Sequence, residues 1–315
     1  MKINNDLGFG ITCIDTTHIR KEMVAAYLIE DGGESCFVDT GTHLSVPKLL
    51  KVLDQKNIDY SDVKHIILTH IHLDHAGGAG QLVKHLPNAT VLVHERGARH
   101  LIDPSILREG VIGVYGELFF KQFLGDLIPI PEDRVVIVKD GDEINLGDRA
   151  LKFIDTPGHA RHHVCIWDEK SKGIFSGDTL GVSYREFDSE NGVFIFPPTT
   201  PIQFDPETWN QTIDTLLKLK PERAYLTHYC MILFDKYIAN KLKKEINNFA
   251  SIATKLHYSK NRHKEITIAL LDHLLISTKK HKVDLDLDKQ AKLLKGDLGI
   301  CARGLEVWLD KKKNQ

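Results

Sequence analysis

Cysteine is sparse: five residues in 315, at Cys13, Cys36, Cys165, Cys230 and Cys301. Their odd number and wide spacing exclude a disulfide framework and a C-x-x-C metal site, and they point to a reducing cytoplasm. No apolar run approaches the about 20 residues of a membrane span, and Met1–Arg20 lacks the apolar core of a secretory leader. The expectation is a cytoplasmic protein without a membrane partner. A G-x-S-x-G elbow is also missing, so the usual serine nucleophile is not on offer. Net charge is small, at −2, but unevenly spread. Lys236–Gln315 holds 18 lysines and arginines against 9 aspartates and glutamates, leaving −11 for the rest of the chain. An acidic body followed by a basic segment predicts two units, 1–234 and 235–315.

The first part reads as alternating strands and helices. Met23–Ile29 and Ser35–Asp39 form a hairpin around Glu30-Asp31-Gly32-Gly33. Ser45 caps a helix to Lys56, with Pro47 in its first turn. The run Ile66-Ile67-Leu68-Thr69 is a buried strand, and Thr90–His94 is another. Glu95–Leu127 is mostly helical. Arg134–Val138, Glu143–Leu146 and Ala150–Asp155 are short strands, and His163–Asp168 with Gly173–Ser176 forms a second hairpin. The two hairpins echo each other as strand, turn, strand and Asp, placing Asp39 and Asp178 at matching strand ends. Phe194–Phe204 is too rich in proline for regular structure. A helix capped by Asp205 follows, then the strand Ala224–Thr227. Beyond Asp235 only helical spacing remains, over Lys236–His257, Lys264–His281 and about Asp288–Asp310.

Chemistry gathers where strands stop. The strand before residue 70 ends in His70-x-His72-x-Asp74-His75, four candidate metal ligands within six residues. Later strand ends add His159, Asp178 and His228. Imidazole with carboxylate suits zinc, iron or manganese. Two imidazoles at i and i+2 with one from afar make a three-histidine face for one ion; Asp74, His75 and another distant histidine serve a second, and a carboxylate can bridge them.

This order resembles the metallo-β-lactamase superfamily, whose pattern is H-x-H-x-D-H followed by His, Asp and His. The match runs from about Met23 to His228. T-H-I-H-L-D-H, T-P-G-H and S-G-D-T are most similar to the glyoxalase-II-like branch, and H-L-D-H-A-G-G-A-G and F-P-P-T-T-P-I-Q-F-D-P to a prokaryotic metallo-hydrolase subgroup of it. The resemblance implies an α+β fold, an αββα sandwich of two sheets flanked by helices, here with an appended C-terminal helical segment. It implies two divalent ions, zinc foremost with iron or manganese as alternatives. His70, His72 and His159 would take one ion, and Asp74, His75 and His228 the other. Asp178 would bridge, and Asp39 would orient ligands without touching metal. Asp74 and Asp178 would then orient a hydroxide attacking an ester, thioester or lactone carbonyl. The implied partners are a small acyl ester or thioester and a second copy of the chain in a homodimer, and the acidic body speaks against nucleic acid.

One departure stands out. The branch carries G-H-T-x-G-H, and this chain has Gly158-His159-Ala160-Arg161-His162-His163. Arg161, Tyr184 and Arg185 are weaker candidates for substrate contact, and His162 and His163 read as support for the ligands. Two other readings accompany hydrolysis. An iron-dependent persulfide dioxygenase would use only His70, His159 and Asp178, and a signal-response protein with weak esterase activity would act through a partner.

Overall fold

The computed structural model describes residues 4–200 and 202–313, so Pro201 of the proline-rich loop lies outside them. Thirteen strands occur among the described residues: β1 (Asn4–Asp6), β2 (Ile11–Asp15), β3 (Ala25–Asp31), β4 (Glu34–Val38), β5 (Val63–Ile67), β6 (Thr90–His94), β7 (Val135–Val138), β8 (Glu143–Leu146), β9 (Arg149–Asp155), β10 (Val164–Asp168), β11 (Gly173–Gly177), β12 (Arg223–Leu226) and β13 (Cys230–Leu233). The α-helices are α1 (Val46–Lys56), α2 (Leu73–Ala76), α3 (Ala79–Val83), α4 (Glu95–Ile102), α5 (Ser105–Tyr115), α6 (Glu117–Phe119), α7 (Pro206–Leu217), α8 (Lys236–Lys255), α9 (Arg262–Lys280) and α10 (Leu287–Lys313).

Two compact units share the chain. Among the described residues, one comprises 4–155, 162–177 and 222–233, the other 156–161, 178–200, 202–221 and 234–313. The first unit contains both sheets. One runs β1 to β7 in sequence order and the other β13-β12-β11-β10-β9-β8. The echo between the hairpins is visible as topology. β3–β4 and β10–β11 are antiparallel pairs, and the next strand in each sheet, β5 or β12, pairs in parallel. A short hairpin joins antiparallel strands, whereas a parallel neighbour needs the crossover that α1 supplies between β4 and β5.

Apolar residues on the outer face of the first sheet, among them Leu28, Phe37, Ile66 and Val91, bury Leu49 and Leu53 of α1 with Leu82 of α3. On the inner face the sheets meet through aromatic rings. Tyr27 of β3 packs edge-on against Phe175 of β11 and Tyr225 of β12, at 5.3 and 5.7 Å between centroids. Its hydroxyl donates to the Leu226 carbonyl at 2.5 Å, which satisfies the one polar atom of a wholly buried ring.

The second unit is helical. The expected helices after Asp235 appear as α8, α9 and α10, and α7 joins them in this unit. Asp205 caps α7 by accepting from the Thr208 N–H at 3.1 Å. No helix of the described residues is long and apolar enough to cross a membrane. Three strands escaped the sequence reading: β1, β2 and β13. β1 is polar, and β13 is only the four residues Cys-Met-Ile-Leu, too short to show a period.

One buried ion pair braces the first unit. Arg149 of β9 donates through Nε to Asp168 Oδ1 at 2.9 Å, pairs also with Oδ2, and reaches the Phe9 carbonyl at 2.6 Å. Neither charge sees solvent. Removing one partner leaves the other buried and uncompensated. Arg149→Met is therefore expected to lower the unfolding free energy by about 3–5 kcal/mol in urea denaturation; a loss below about 1 kcal/mol would show that Asp168 finds another partner.

Candidate metal centre

Strand β5 delivers the first candidate ligands. Its buried aliphatic residues lock it between β4 and β6, and the ladder continues one step beyond it through Leu68 N–H to the Leu92 carbonyl, at 3.0 Å. The chain then turns through His70 and His72 into α2, which carries Asp74 and His75. Thr69, the last residue before the turn, is held by the Asp39 carboxylate. Asp39 Oδ1 accepts from Thr69 N–H at 2.9 Å, and the Thr69 hydroxyl bonds the same carboxylate at 2.9–3.0 Å. The other oxygen accepts from His75 Nδ1 at 2.8 Å and from the Thr227 hydroxyl at 2.9 Å. Asp39, expected from the sequence to orient ligands, is fully buried and bonded by protein donors.

This bond decides what His75 offers. With Nδ1 donating to Asp39, the ring turns Nε2 toward Asp74, 3.7 Å from Oδ2. His228 behaves alike: Nδ1 donates to the Met23 carbonyl at 3.0 Å, and Nε2 lies 3.2 Å from Asp74 Oδ2. Asp74, His75 and His228 therefore gather one carboxylate oxygen and two imidazole nitrogens, all within 4.8 Å of one another. Rings fixed through one nitrogen and presenting the other to a common point are the arrangement that a divalent ion requires. The donor set fits zinc, iron or manganese.

His70 and His72 form a second group. His70 is buried, with Nδ1 at 3.2 Å from the Thr69 hydroxyl, and its Nε2 approaches His72 Nδ1 to 2.8 Å. The second unit holds the remaining pair. His159 Nδ1 donates to the Pro198 carbonyl at 2.8 Å, and its Nε2 faces Asp178 Oδ2 at 3.2 Å. Its ring also abuts Trp209 of α7, whose indole N–H donates to the Thr179 carbonyl next to Asp178 at 2.7 Å.

His163 stacks on His70 at 4.8 Å between centroids. Gly177 is what lets it sit there. A Cβ on Gly177 would lie 2.5 Å from His163 Nε2 and 2.6 Å from the Thr69 hydroxyl, and the residue has φ of +48°. That explains the glycine of S-G-D-T. His162 stacks at 6.1 Å and stands edge-on to His72 at 5.6 Å. Burial, then the neighbouring His72, hold its pKa down to about 3.

The weaker candidates occupy other settings. Arg161 is exposed, with its N–H on the Gln203 side chain. Tyr184 is buried and donates its hydroxyl to Asp297 at 2.9 Å, and Arg185 bonds the Ser183 carbonyl and lies 3.4 Å from Asp188. One residue near the trio had no signal in the sequence. His18, in the loop after β2, is buried within electrostatic reach of Asp74, His228 and His75. Burial lowers its pKa, Asp74 opposes that shift, and its ring bonds the Phe123 backbone. No motif marks it, because its neighbours are 56 or more residues away in the chain.

Two outcomes test this geometry. Asp39→Ala removes the acceptor that turns His75, so metal affinity, read by competition with a chelator, is expected to fall about 10- to 100-fold. An unchanged affinity would deny Asp39 that role. For His162 the folded pKa lies below the unfolded value, so the unfolded chain takes up the proton first. Its contribution is present above about pH 6.5 and lost as pH falls toward 3, reaching about 2 kcal/mol at pH 5. In metal-stripped protein His162→Gln should flatten the fall in stability between pH 7 and pH 5; parallel curves would refute the assignment.

Comparisons with known proteins agree with this architecture. Residues 19–228 match the sequence model of the metallo-beta-lactamase superfamily. The chain is 28% identical over 230 residues to the metallo-beta-lactamase fold-containing protein ST1585 of Sulfurisphaera tokodaii, covering 71% of this chain and 80% of that one. With the acyl-coenzyme A thioesterase MBLAC2 of Homo sapiens it shares 30% identity over 173 residues, 49% of this chain and 57% of the thioesterase. The crystal structure of the metallo-beta-lactamase family protein TTHA1429 from Thermus thermophilus superposes with a TM-score of 0.69 at 20% identity, over 96% of this chain and 94% of that one. At that identity the likeness is one of fold. With two mixed sheets, flanking helices and a match spanning the His70 to His228 motif, this α+β chain belongs to the metallo-β-lactamase superfamily, and its fold is that family's αββα sandwich with C-terminal helices.

Proposed function

We propose that the chain is a dinuclear metal-dependent hydrolase of an ester, thioester or lactone, with a small acyl thioester as the preferred substrate. The observation that carries the reading is the Asp74–His75–His228 trio, whose two imidazoles are each tied through Nδ1 and aimed through Nε2 at one carboxylate. In this reading His70, His72 and His159 would hold one ion, Asp74, His75 and His228 would hold the other, and Asp178 would serve both. Divalent ions bound there supply Lewis acidity to a carbonyl oxygen and lower the pKa of water toward ~7.

The chain's own residues do the rest. Asp39 and the Met23 and Pro198 carbonyls keep His75, His228 and His159 in one tautomer and one orientation. Asp74 and Asp178 offer carboxylate oxygens that orient the attacking water. A protein nucleophile is not needed and the thiols are poorly suited to be one. All five cysteines are buried, and burial pushes the pKa of both Cys36 and Cys301 up to about 12. The thioester preference is supported by the relative named as an acyl-coenzyme A thioesterase, although the chain covers only 57% of that protein.

Protein purified without added metal is expected to carry close to two ions of zinc, iron or manganese per chain. It should hydrolyse members of a panel of acyl thioesters and esters, lose that activity to a chelator and regain it with metal. One iron per chain with dioxygen uptake on a glutathione persulfide would replace hydrolysis by the dioxygenase reading. Metal-loaded protein with weak turnover on every substrate and a stable partner in pull-downs would favour the signal-response reading.

A further inference from the structure

The C-terminal helix α10 carries one stripe of residues that meets the segment between Tyr184 and Phe204. Asp297 accepts from the Tyr184 hydroxyl at 2.9 Å. Cys301 places its sulfur 3.8 Å from the Pro197 carbonyl and its own carbonyl within 3.2 Å of the Thr199 hydroxyl, which donates to it. Gly304 abuts Thr199 and Thr200, Trp308 packs edge-on to Phe204 at 5.7 Å, and Lys311 donates to the Ile202 carbonyl at 2.6 Å. These positions step by 4, 3, 4 and 3 residues, so they line one stripe of the helix.

The closest approach is at Gly304. A Cβ there would lie 1.9 Å from the Thr199 carbonyl oxygen and 2.7 Å from the Thr200 carbonyl carbon, where ordinary contact begins near 3.4 Å. Both obstacles are backbone. One residue before Thr199 stands Pro198, whose carbonyl accepts from His159 Nδ1. Prolines at 197 and 198 stiffen this stretch, so a push at Thr199 is transmitted to that carbonyl rather than absorbed. The same segment is laddered to the chain that follows Asp178, through Val182 and Phe196 with bonds of 2.8 and 3.1 Å.

We propose that α10 is a positioning strut for the metal centre: through Gly304 and Cys301 it sets the Pro198 carbonyl, which in turn aims His159. This rests on the reading of His159 as a ligand. The helix thereby acts on one ligand without touching substrate or metal, and Gly304 is a positioning residue. Cys301 suits the role, because burial keeps it a neutral thiol able to donate to the Pro197 carbonyl.

Zinc titration of the full chain against a competing chelator tests the strut. Gly304→Ala is expected to weaken one of the two ions about 10- to 100-fold and to leave the other in place. Thr199→Val, which keeps the shape and removes the bond to the Cys301 carbonyl, should weaken the same ion by a smaller factor. Gly299→Ala lies in the same helix with nothing within 4 Å of its Cβ, and should bind zinc as the parent does. His159→Ala separates the two levels of the argument. If it leaves both ions bound as tightly as in the parent, the ligand reading fails. If it releases one ion while Thr199→Val and a folded Gly304→Ala retain both at parental affinity, the strut is refuted and the ligand reading stands. Should Gly304→Ala not fold, Thr199→Val decides by itself.

Discussion

A buried carboxylate that must be satisfied organises the centre of the first unit. Asp39 follows β4 with φ of +56°, sees no solvent, and accepts from Thr69 backbone and hydroxyl, from His75 and from Thr227. A carboxylate is tolerated in such a place only when its oxygens are saturated with donors. Those donors come from the end of β5, from α2 and from the end of β12, which lies in the other sheet. Meeting that one requirement joins the two sheets at the strand ends and sets the orientation of His75.

The same device recurs with neutral acceptors. His228 and His159 each donate Nδ1 to a backbone carbonyl, that of Met23 or of Pro198, and each turns Nε2 to a carboxylate. Backbone carbonyls are positioned by the fold, so the rings inherit the rigidity of strands and of proline-stiffened loops. The weaker candidates are held otherwise: the Arg161 backbone N–H bonds the Gln203 side chain, and the Arg185 guanidinium bonds the Ser183 carbonyl two residues before it.

Much of the fold and of the metal centre is legible in the residues themselves. The aliphatic run before His70 marks a buried strand, and H-x-H-x-D-H places four candidate ligands within six residues. Asp205 with Pro206 announces α7, and the 3.6-residue spacing after Asp235 announces α8, α9 and α10. Turn chemistry, caps and periodicity are local, so they can be read locally. β13 was not legible, being four residues in which no period can develop, and neither were β1 and β2.

What the sequence determined by itself is thus the family, the order of strands and helices over most of the chain, and the kinds of donor atoms available to metal. What only the tertiary structure decided is which partners those donors meet. Asp39 is bound by a residue 188 positions away, His18 stands beside a trio that no motif links to it, and Thr199 meets Cys301 across 102 residues. Such pairings are set by the packing of sheets and helices, in which nearness in space is independent of nearness along the chain. Whether Gly304 is a helix-weakening residue or a close-contact residue is likewise invisible in the sequence, because the carbonyl it makes room for belongs to a loop about 100 positions earlier.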